Sequence, residues 1–436
     1  MNIRQIALRI LDEYEAGGKY INLSLSSHLT DGLSREEKAA LTALLYTSVE
    51  KKLSYDYYIL SLAGRSDSEI EMHTKNILRL GLCQILDMRS IPDYAAVNET
   101  VKLARTPGER AFVNGVLRAA VRRKGDLPLP DEKKKPLRHL SVKYSFPLGT
   151  VKLFDSLYGR DGTEELLRFF NEEKYTDITV NTTKVSVGDY QKSLAESGIF
   201  AEENEAVPAS LRIFGSVNPE SLPGFDTGYF FVQDRASAIC AAALDATQGD
   251  LVIDTCSAPG GKSFATAIFA SDSLTVHSFD LHESKLSLIT SGRDRLGLRS
   301  IEVAPRDALT PDESLLGKAD KVICDAPCSG LGVLGKKADL RYKELSALET
   351  LPSLQLEILT RSSAYLKVGG EMIYSTCTLN PDENEGVVRA FLDSNEGFEL
   401  IPFTVGDLDG HDGILTLVPH IHQTDGFFMA KIRRKA

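Results

Sequence analysis

Six cysteines are present: Cys83, Cys240, Cys256, Cys324, Cys328 and Cys377. None forms a C-x-x-C pair, and Cys324 and Cys328 have no second ligand pair, so no metal site is expected. Two of them stand out. Cys328 lies in Asp325-Ala326-Pro327-Cys328-Ser329-Gly330, and Cys377 lies in Tyr374-Ser375-Thr376-Cys377-Thr378. Each follows an apolar run that reads as a strand, Val322-Ile323-Cys324 and Met372-Ile373-Tyr374. In a doubly wound sheet these strand ends would be neighbours, and both thiols could then face one pocket. A single cysteine is most often an inert core residue. Two at adjacent strand ends, in polar loops, suit covalent catalysis, in which a thiolate adds to substrate and divides one hard step into two. A free thiol has a pKa of about 8.5, so the attacking group needs local help to ionise.

A second set of residues shapes a pocket. The run Leu251-Val252-Ile253 leads into Asp254-Thr255-Cys256-Ser257-Ala258-Pro259-Gly260-Gly261-Lys262. Glycines before a helix let the backbone approach a ligand closely. A Walker A loop is excluded, because the glycine required five positions before Gly261 is Cys256. G-x-G-x-x-G is also absent. Asp280, Asp307 and Asp325 follow the next three strand-like runs. Asp280 would hydrogen-bond ribose hydroxyls, and Asp307 an adenine amino group. Four acids, with Asp254, suit a ligand carrying a sugar, an adenine and a positive charge, and S-adenosylmethionine has all three. The plainer alternative for any one acid is a helix cap.

Thiols and a methyl sulfonium together suggest one reaction. Carbon 5 of cytosine is too weak a nucleophile to take a methyl group unaided. A thiolate adding to carbon 6 pushes electron density onto carbon 5. A base must then remove the carbon 5 proton so that the thiol can leave. Asp325 would bind the cytosine amino group.

The elements that must hold these residues fall into three regions, with boundaries expected at 1–125, 126–137, 138–232 and 233–436. Residues 1–125 read as helices: Ile3, Ile6, Ala7, Ile10, Leu11 and Tyr14 recur at helical spacing, and Phe112, Val113, Val116, Leu117 and Ala120 do so within Ala111–Arg123. Ser66-Asp67-Ser68-Glu69 has the form of a capping box before a helix over Ile70–Leu86. Residues 126–137, with three prolines and a lysine run, read as a linker. Residues 138–232 look mixed, with strands at Asp177–Asn181 and Ser210–Phe214 and a helix over Val187–Ser197. From 233 onward, further short apolar runs (Leu274-Thr275-Val276 and Ile301-Glu302-Val303) alternate with helices at Gly261–Ala270, Glu283–Leu296 and Glu344–Leu366. This predicts a mostly parallel, doubly wound α/β sheet, completed by Phe398–Ile401 and Phe427–Ile432.

The chain has 436 residues and a net charge of −11. Residues 1–150 nevertheless carry 23 basic against 18 acidic side chains, and 101–150 carry 12 against 4. Such a patch can bind RNA on an otherwise acidic chain, or serve only as a solvated linker. No apolar run reaches membrane-spanning length, and the polar start is unlike a signal peptide. A cytoplasmic protein with reduced thiols is expected. No heptad pattern stands out, so a monomer is expected.

The loop Asp254–Lys262, the Asp325–Gly330 and Ser375-Thr376-Cys377 segments, Asn380-Pro381-Asp382-Glu383-Asn384-Glu385 and Asp425-Gly426-Phe427-Phe428 together resemble the RNA 5-methylcytosine methyltransferases of the Nop2/Sun type. Ala111-Phe112-Val113-Asn114-Gly115-Val116-Leu117-Arg118 is similar to the end of a NusB-like helical RNA-binding domain. The resemblance covers nearly the whole chain. It implies an all-α NusB-like front, a small α+β RRM-like middle subdomain, and a Rossmann-like class I methyltransferase domain. It implies Cys377 as nucleophile and Cys328 as the thiol that assists release. Cys256, Ser257, Ala258, Pro259, Gly260, Gly261, Lys262, Asp280, Asp307 and Asp325 would line the S-adenosylmethionine site. The substrate implied is small-subunit (16S) ribosomal RNA, with no DNA or membrane partner. Alternatives are the same chemistry on tRNA, or an RNA-binding factor with an inactive catalytic domain. Relatives often have arginine where Thr179 stands, and more arginines and a Trp around Gly335–Tyr342, differences expected to touch RNA contacts.

Overall fold

The computed structural model describes residues 2–17, 21, 24–25, 32–172, 175–215, 217–343 and 345–436. The chain divides into two compact units, Met1–Asn171 with Lys337–Leu345, and Glu172–Lys336 with Ser346–Ala436.

The first unit is helical. Its centre is the helix Met72–Leu86, in which Thr74 through Ile85 are all buried. A helix buried on every side must be wrapped by others. The helices Ile3–Glu15, Arg35–Glu50, Lys52–Ala63, Asp93–Val101 and Pro107–Arg122 share its core. Arg79, the large cation inside this helix, forks onto both carboxylate oxygens of Asp56 at 2.7 Å and reaches Glu15 at 2.8 Å. The Ser66–Glu69 capping box forms, but it caps only a 3-10 turn over Asp67–Glu69. Ile70 is extended, and the long helix starts at Met72. Helix Pro107–Arg122 begins a turn earlier than expected, because Thr106 accepts the Glu109 N–H at 3.1 Å and Pro107 occupies the first turn.

Residues 126–131 lack regular structure. The start of the stretch read as mixed is instead two helices, Pro136–Tyr144 and Leu148–Asn171, the second broken at Gly159 (φ 67°). Val151, Phe154, Leu166, Leu167 and Phe170 supply a helical apolar stripe here. Arg341 also belongs to this unit. Its guanidinium is buried, donating to Asn171 Oδ1 at 2.7 Å and the Phe170 carbonyl at 3.0 Å. It is therefore a packing residue and not an RNA contact.

In the second unit, β1 (Tyr175–Val180), β2 (Ala201–Glu203), β3 (Ser210–Phe214) and β4 (Phe230–Val232) form an antiparallel sheet in the order β2-β3-β1-β4. Helix Val187–Glu196 covers one face over Ile178, Val180, Leu211 and Ile213. On the other face Thr179 is fully buried and donates to Gln233 Oε1 at 2.8 Å. The position suspected of touching RNA is thus an internal hydrogen bond.

The larger sheet contains β5 (Leu251–Asp254), β6 (Thr275–Asp280), β7 (Ile301–Pro305), β8 (Ala319–Asp325), β9 (Leu366–Thr376), β10 (Phe398–Leu400), β13 (Ile414–Leu417) and β14 (Phe427–Arg434). Its order is β10-β14-β9-β8-β5-β6-β7, with β13 on β14. Strands β5 to β9 pair in parallel, and β10, β13 and β14 pair antiparallel. The parallel strands are apolar because helices cover both faces: Val252, Ile253, Val322, Cys324, Met372 and Tyr374 are all fully buried. A separate hairpin, β11 (Phe403–Val405) with β12 (Leu408–Gly410), had no clear sequence signal. Helix Glu283–Leu296 matches its expected bounds. The helix expected from Glu344, itself outside the described residues, spans only Leu351–Ser363, after 3-10 turns. Among the described residues no helix is long and apolar enough to cross a membrane.

Candidate active site

The strand order reverses between β6-β5 and β8-β9, so the crevice at the carboxyl end of β5 and β8 is the expected ligand position. The loop after β5 enters it and helix Gly261–Phe269 leaves it. Gly260 sits at φ +107°, and a Cβ there would lie 2.4 Å from the Phe264 ring. Only glycine fits on both counts. Phe231 of the small sheet meets Phe264 edge-on at 5.6 Å, and the Gln233 amide donates to the Gly261 carbonyl at 2.9 Å.

Asp280 ends β6. Its Oδ2 accepts the Ala258 N–H at 3.1 Å and its Oδ1 accepts the His282 N–H at 3.0 Å. Those bonds fix the carboxylate, and each oxygen keeps a lone pair for a ligand hydroxyl. Asp307 is half-buried after β7, and its Oδ1 accepts the Leu309 N–H at 3.0 Å. Asp254 differs from the expectation of a ligand-facing acid. It is buried, takes the Ser263 hydroxyl at 2.7 Å, and burial pushes its carboxyl up to about 7. Ser263 in turn receives the Ser278 hydroxyl at 2.7 Å. Asp254 thus belongs to the packing beneath the loop.

At the end of β8, Asp325 is held from two sides. Lys262 Nζ donates to its Oδ2 and Ser375 Oγ to its Oδ1, both at 2.7 Å. Burial opposes the charge on Lys262, but Asp325, together with Cys240 and Asp254, holds the lysine pKa above its ordinary value. The ammonium also lies 5.0 Å from the centre of the Phe427 ring. Parallel pairing of β8 with β9 sets Asp325 opposite Ser375. The loops that follow then bring Cys328 and Cys377 to an Sγ–Sγ distance of 3.3 Å. Both are half-buried, whereas Cys83, Cys240 and Cys324 are buried with thiols pushed up to about 12 by desolvation. Cys256 is half-buried, and desolvation pushes its thiol up too. The hydrogen bond with Cys377, followed by burial, holds Cys328 well above the ordinary thiol range.

Several residues that support the site carry no spacing signal. Glu383 is fully buried and accepts from Ser329 N–H, Gln355 Nε2 and Asn380 Nδ2. The side chains of Ser329 and Thr378 share a 2.6 Å hydrogen bond. Lys336, read as part of a basic segment, is instead paired with Asp234 at 2.5 Å and Asp425 at 3.1 Å.

The chain is 33% identical over 448 residues to the probable ribosomal RNA small subunit methyltransferase B of Bacillus subtilis (strain 168), covering 100% of this chain and 99% of that protein. The chain belongs to the 16S rRNA methyltransferase RsmB/F family. The sequence model of that family matches residues 241–433. The NusB family matches residues 1–122, and the RsmF/B-like ferredoxin-like domain matches residues 147–219. The fold expected from sequence, with a NusB-like front, a small α+β middle part and a Rossmann-like methyltransferase domain, is the one found. The crystal structure of PH0851 superposes with a TM-score of 0.81 at 26% identity, covering 100% of this chain and 99% of that one. That of a methyltransferase homolog protein from Pyrococcus horikoshii gives 0.60 at 27% identity, over 69% of this chain and 99% of that one.

Proposed function

We propose that this protein methylates carbon 5 of a cytidine in small-subunit ribosomal RNA through a covalent adduct between a cysteine and carbon 6. The observation that carries this reading is the contact of two thiols at 3.3 Å beside a carboxylate fixed by Lys262. Family membership supports ribosomal RNA as substrate, and the NusB-family match to residues 1–122 favours rRNA over tRNA.

S-adenosylmethionine, when bound, supplies the electrophilic methyl group. The residues present fit it. The glycine loop leaves room at the backbone, Asp280 and Asp307 offer oriented carboxylate oxygens, and the acidic set suits a sulfonium. Cys256 to Lys262, Asp280, Asp307 and Asp325 would form that site. Cys377 attacks carbon 6 as the thiolate. Asp325 takes a hydrogen bond from the cytosine amino group, while Lys262 and Ser375 hold its carboxylate in place. Once carbon 5 is methylated and its proton removed, the carbon–sulfur bond breaks. Cys328 assists that release. The test is bisulfite sequencing of total RNA from a deletion strain: loss of one protected cytidine in 16S rRNA is expected, and loss in tRNA alone would overturn the substrate assignment.

A further inference from the structure

The roles given to the two thiols require that both loops be held to within a fraction of an ångström, although one follows β8 and the other β9. One buried side chain lies at the junction. Glu383 Oε2 accepts the backbone N–H of Ser329, next to Cys328, at 2.8 Å, and the Gln355 amide at 2.9 Å. That same amide nitrogen donates to the carbonyl of Pro327, on the other side of Cys328, at 2.9 Å. Glu383 Oε1 accepts from Asn380 at 3.0 Å, and its backbone carbonyl accepts the Tyr374 hydroxyl at 2.7 Å. Tyr374 stands three residues before Cys377, at the end of β9. The Ser329–Thr378 side-chain bond and the Gly332 N–H donating to the Cys377 carbonyl at 3.0 Å tie the second loop to the first.

A fully buried carboxylate is costly unless its oxygens are satisfied. Glu383 meets that cost with three donors, and two of those donors belong to or hold the segment around Cys328. A hydrophobic residue would pack here without the charge, so packing alone gives no reason for a glutamate. We infer that Glu383 is a positioning residue for the cysteine pair: with Gln355 it clamps Pro327–Ser329 and keeps the Cys328 thiol against the Cys377 thiol. Asp325 and Glu383 both add negative charge near Cys328, which favours the protonated thiol there. Glu383 touches neither substrate nor cofactor in this scheme.

The inference rests on the cysteine chemistry proposed above, and the test separates the two. In the full-length protein, Glu383→Gln keeps the shape but replaces one accepting oxygen with a donor. Turnover should fall about 100-fold, the usual cost of a misplacement near 1 Å, with KM for RNA and for S-adenosylmethionine within about threefold of the parent. A readout that does not need activity is alkylation by iodoacetamide, followed by peptide mass spectrometry. Cys377 should react faster than Cys328 in the parent, and the ratio should narrow at least threefold in Glu383→Gln. Gln355→Met removes one clamp while leaving the carboxylate, and should narrow the ratio in the same direction, which covers the case in which Glu383→Gln does not fold. Unchanged turnover and an unchanged ratio in a folded Glu383→Gln, or an unchanged ratio in Gln355→Met, would overturn the inference while leaving the cysteine chemistry standing. Retained activity in Cys377→Ala would instead overturn that chemistry.

Discussion

Cys328 and Cys377 meet Sγ to Sγ at 3.3 Å although 49 residues separate them in the chain. The contact is a product of strand register: Asp325 stands opposite Ser375 across the parallel β8–β9 pair, and each thiol lies two or three residues beyond. At that distance one proton can be shared between two sulfurs, so the pair is one titrating system.

Lys262 and Asp325 form an ion pair in which the lysine is buried and the aspartate half-buried, and removing the lysine leaves the Asp325 charge without its cation. Lys262→Met should lower methyl incorporation into RNA by 10²- to 10³-fold, the scale for loss of one preorganised electrostatic group. Circular dichroism should show the fold retained. Incorporation within threefold of the parent would remove Lys262 from the mechanism.

The Asp254 carboxyl, pushed up to about 7 by burial, makes stability depend on pH. Its folded value lies above that of the unfolded chain, near 4, so between these pH values the native state binds more protons. Stability therefore falls as pH rises from about 4 to 7 and levels off above that, by a few kcal/mol at most. Asp254→Asn should flatten urea-denaturation midpoints over this window. A slope equal to the parent's would assign the pH dependence elsewhere.

Arg110, Arg118 and Arg122 are exposed on helix Pro107–Arg122, and Lys133, Lys134, Lys135 and Arg138 are exposed beyond it. Among the described residues none of these seven has an acidic partner in an ion pair. Positions 118 and 122 lie one turn apart, on one ridge. Replacing both with alanine should weaken RNA binding and reduce the slope of log K against log salt by about 0.7–0.9 per lost phosphate contact. Filter binding between 50 and 200 mM salt measures this. An unchanged slope would return the patch to the solvated-linker reading.

Much of the site was legible because strand ends in a doubly wound sheet converge, and the loop compositions after β5, β8 and β9 mark chemistry. What the sequence hid were destinations set by distant partners. Lys336 and Arg341 look like RNA-binding charges in a basic run, but Asp234, Asp425 and Asn171 claim them. Thr179 reads as a lost arginine contact, yet its hydroxyl is buried on Gln233. Asp254 shares the strand-end position of Asp280 but turns under the loop to Ser263. Glu383 was visible only as one letter of a family-like segment, since nothing in its spacing points to Ser329 or Gln355.

The central claim is the division of labour between the thiols, and adduct trapping tests it most directly. Cys328→Ala, incubated with 16S rRNA and S-adenosylmethionine, should accumulate a protein–RNA species resistant to denaturing electrophoresis, with Cys377 as the modified residue by mass spectrometry, and Cys377→Ala should give none. An adduct on Cys328 in the Cys377→Ala protein, or full methylation by Cys377→Ala, would contradict the account.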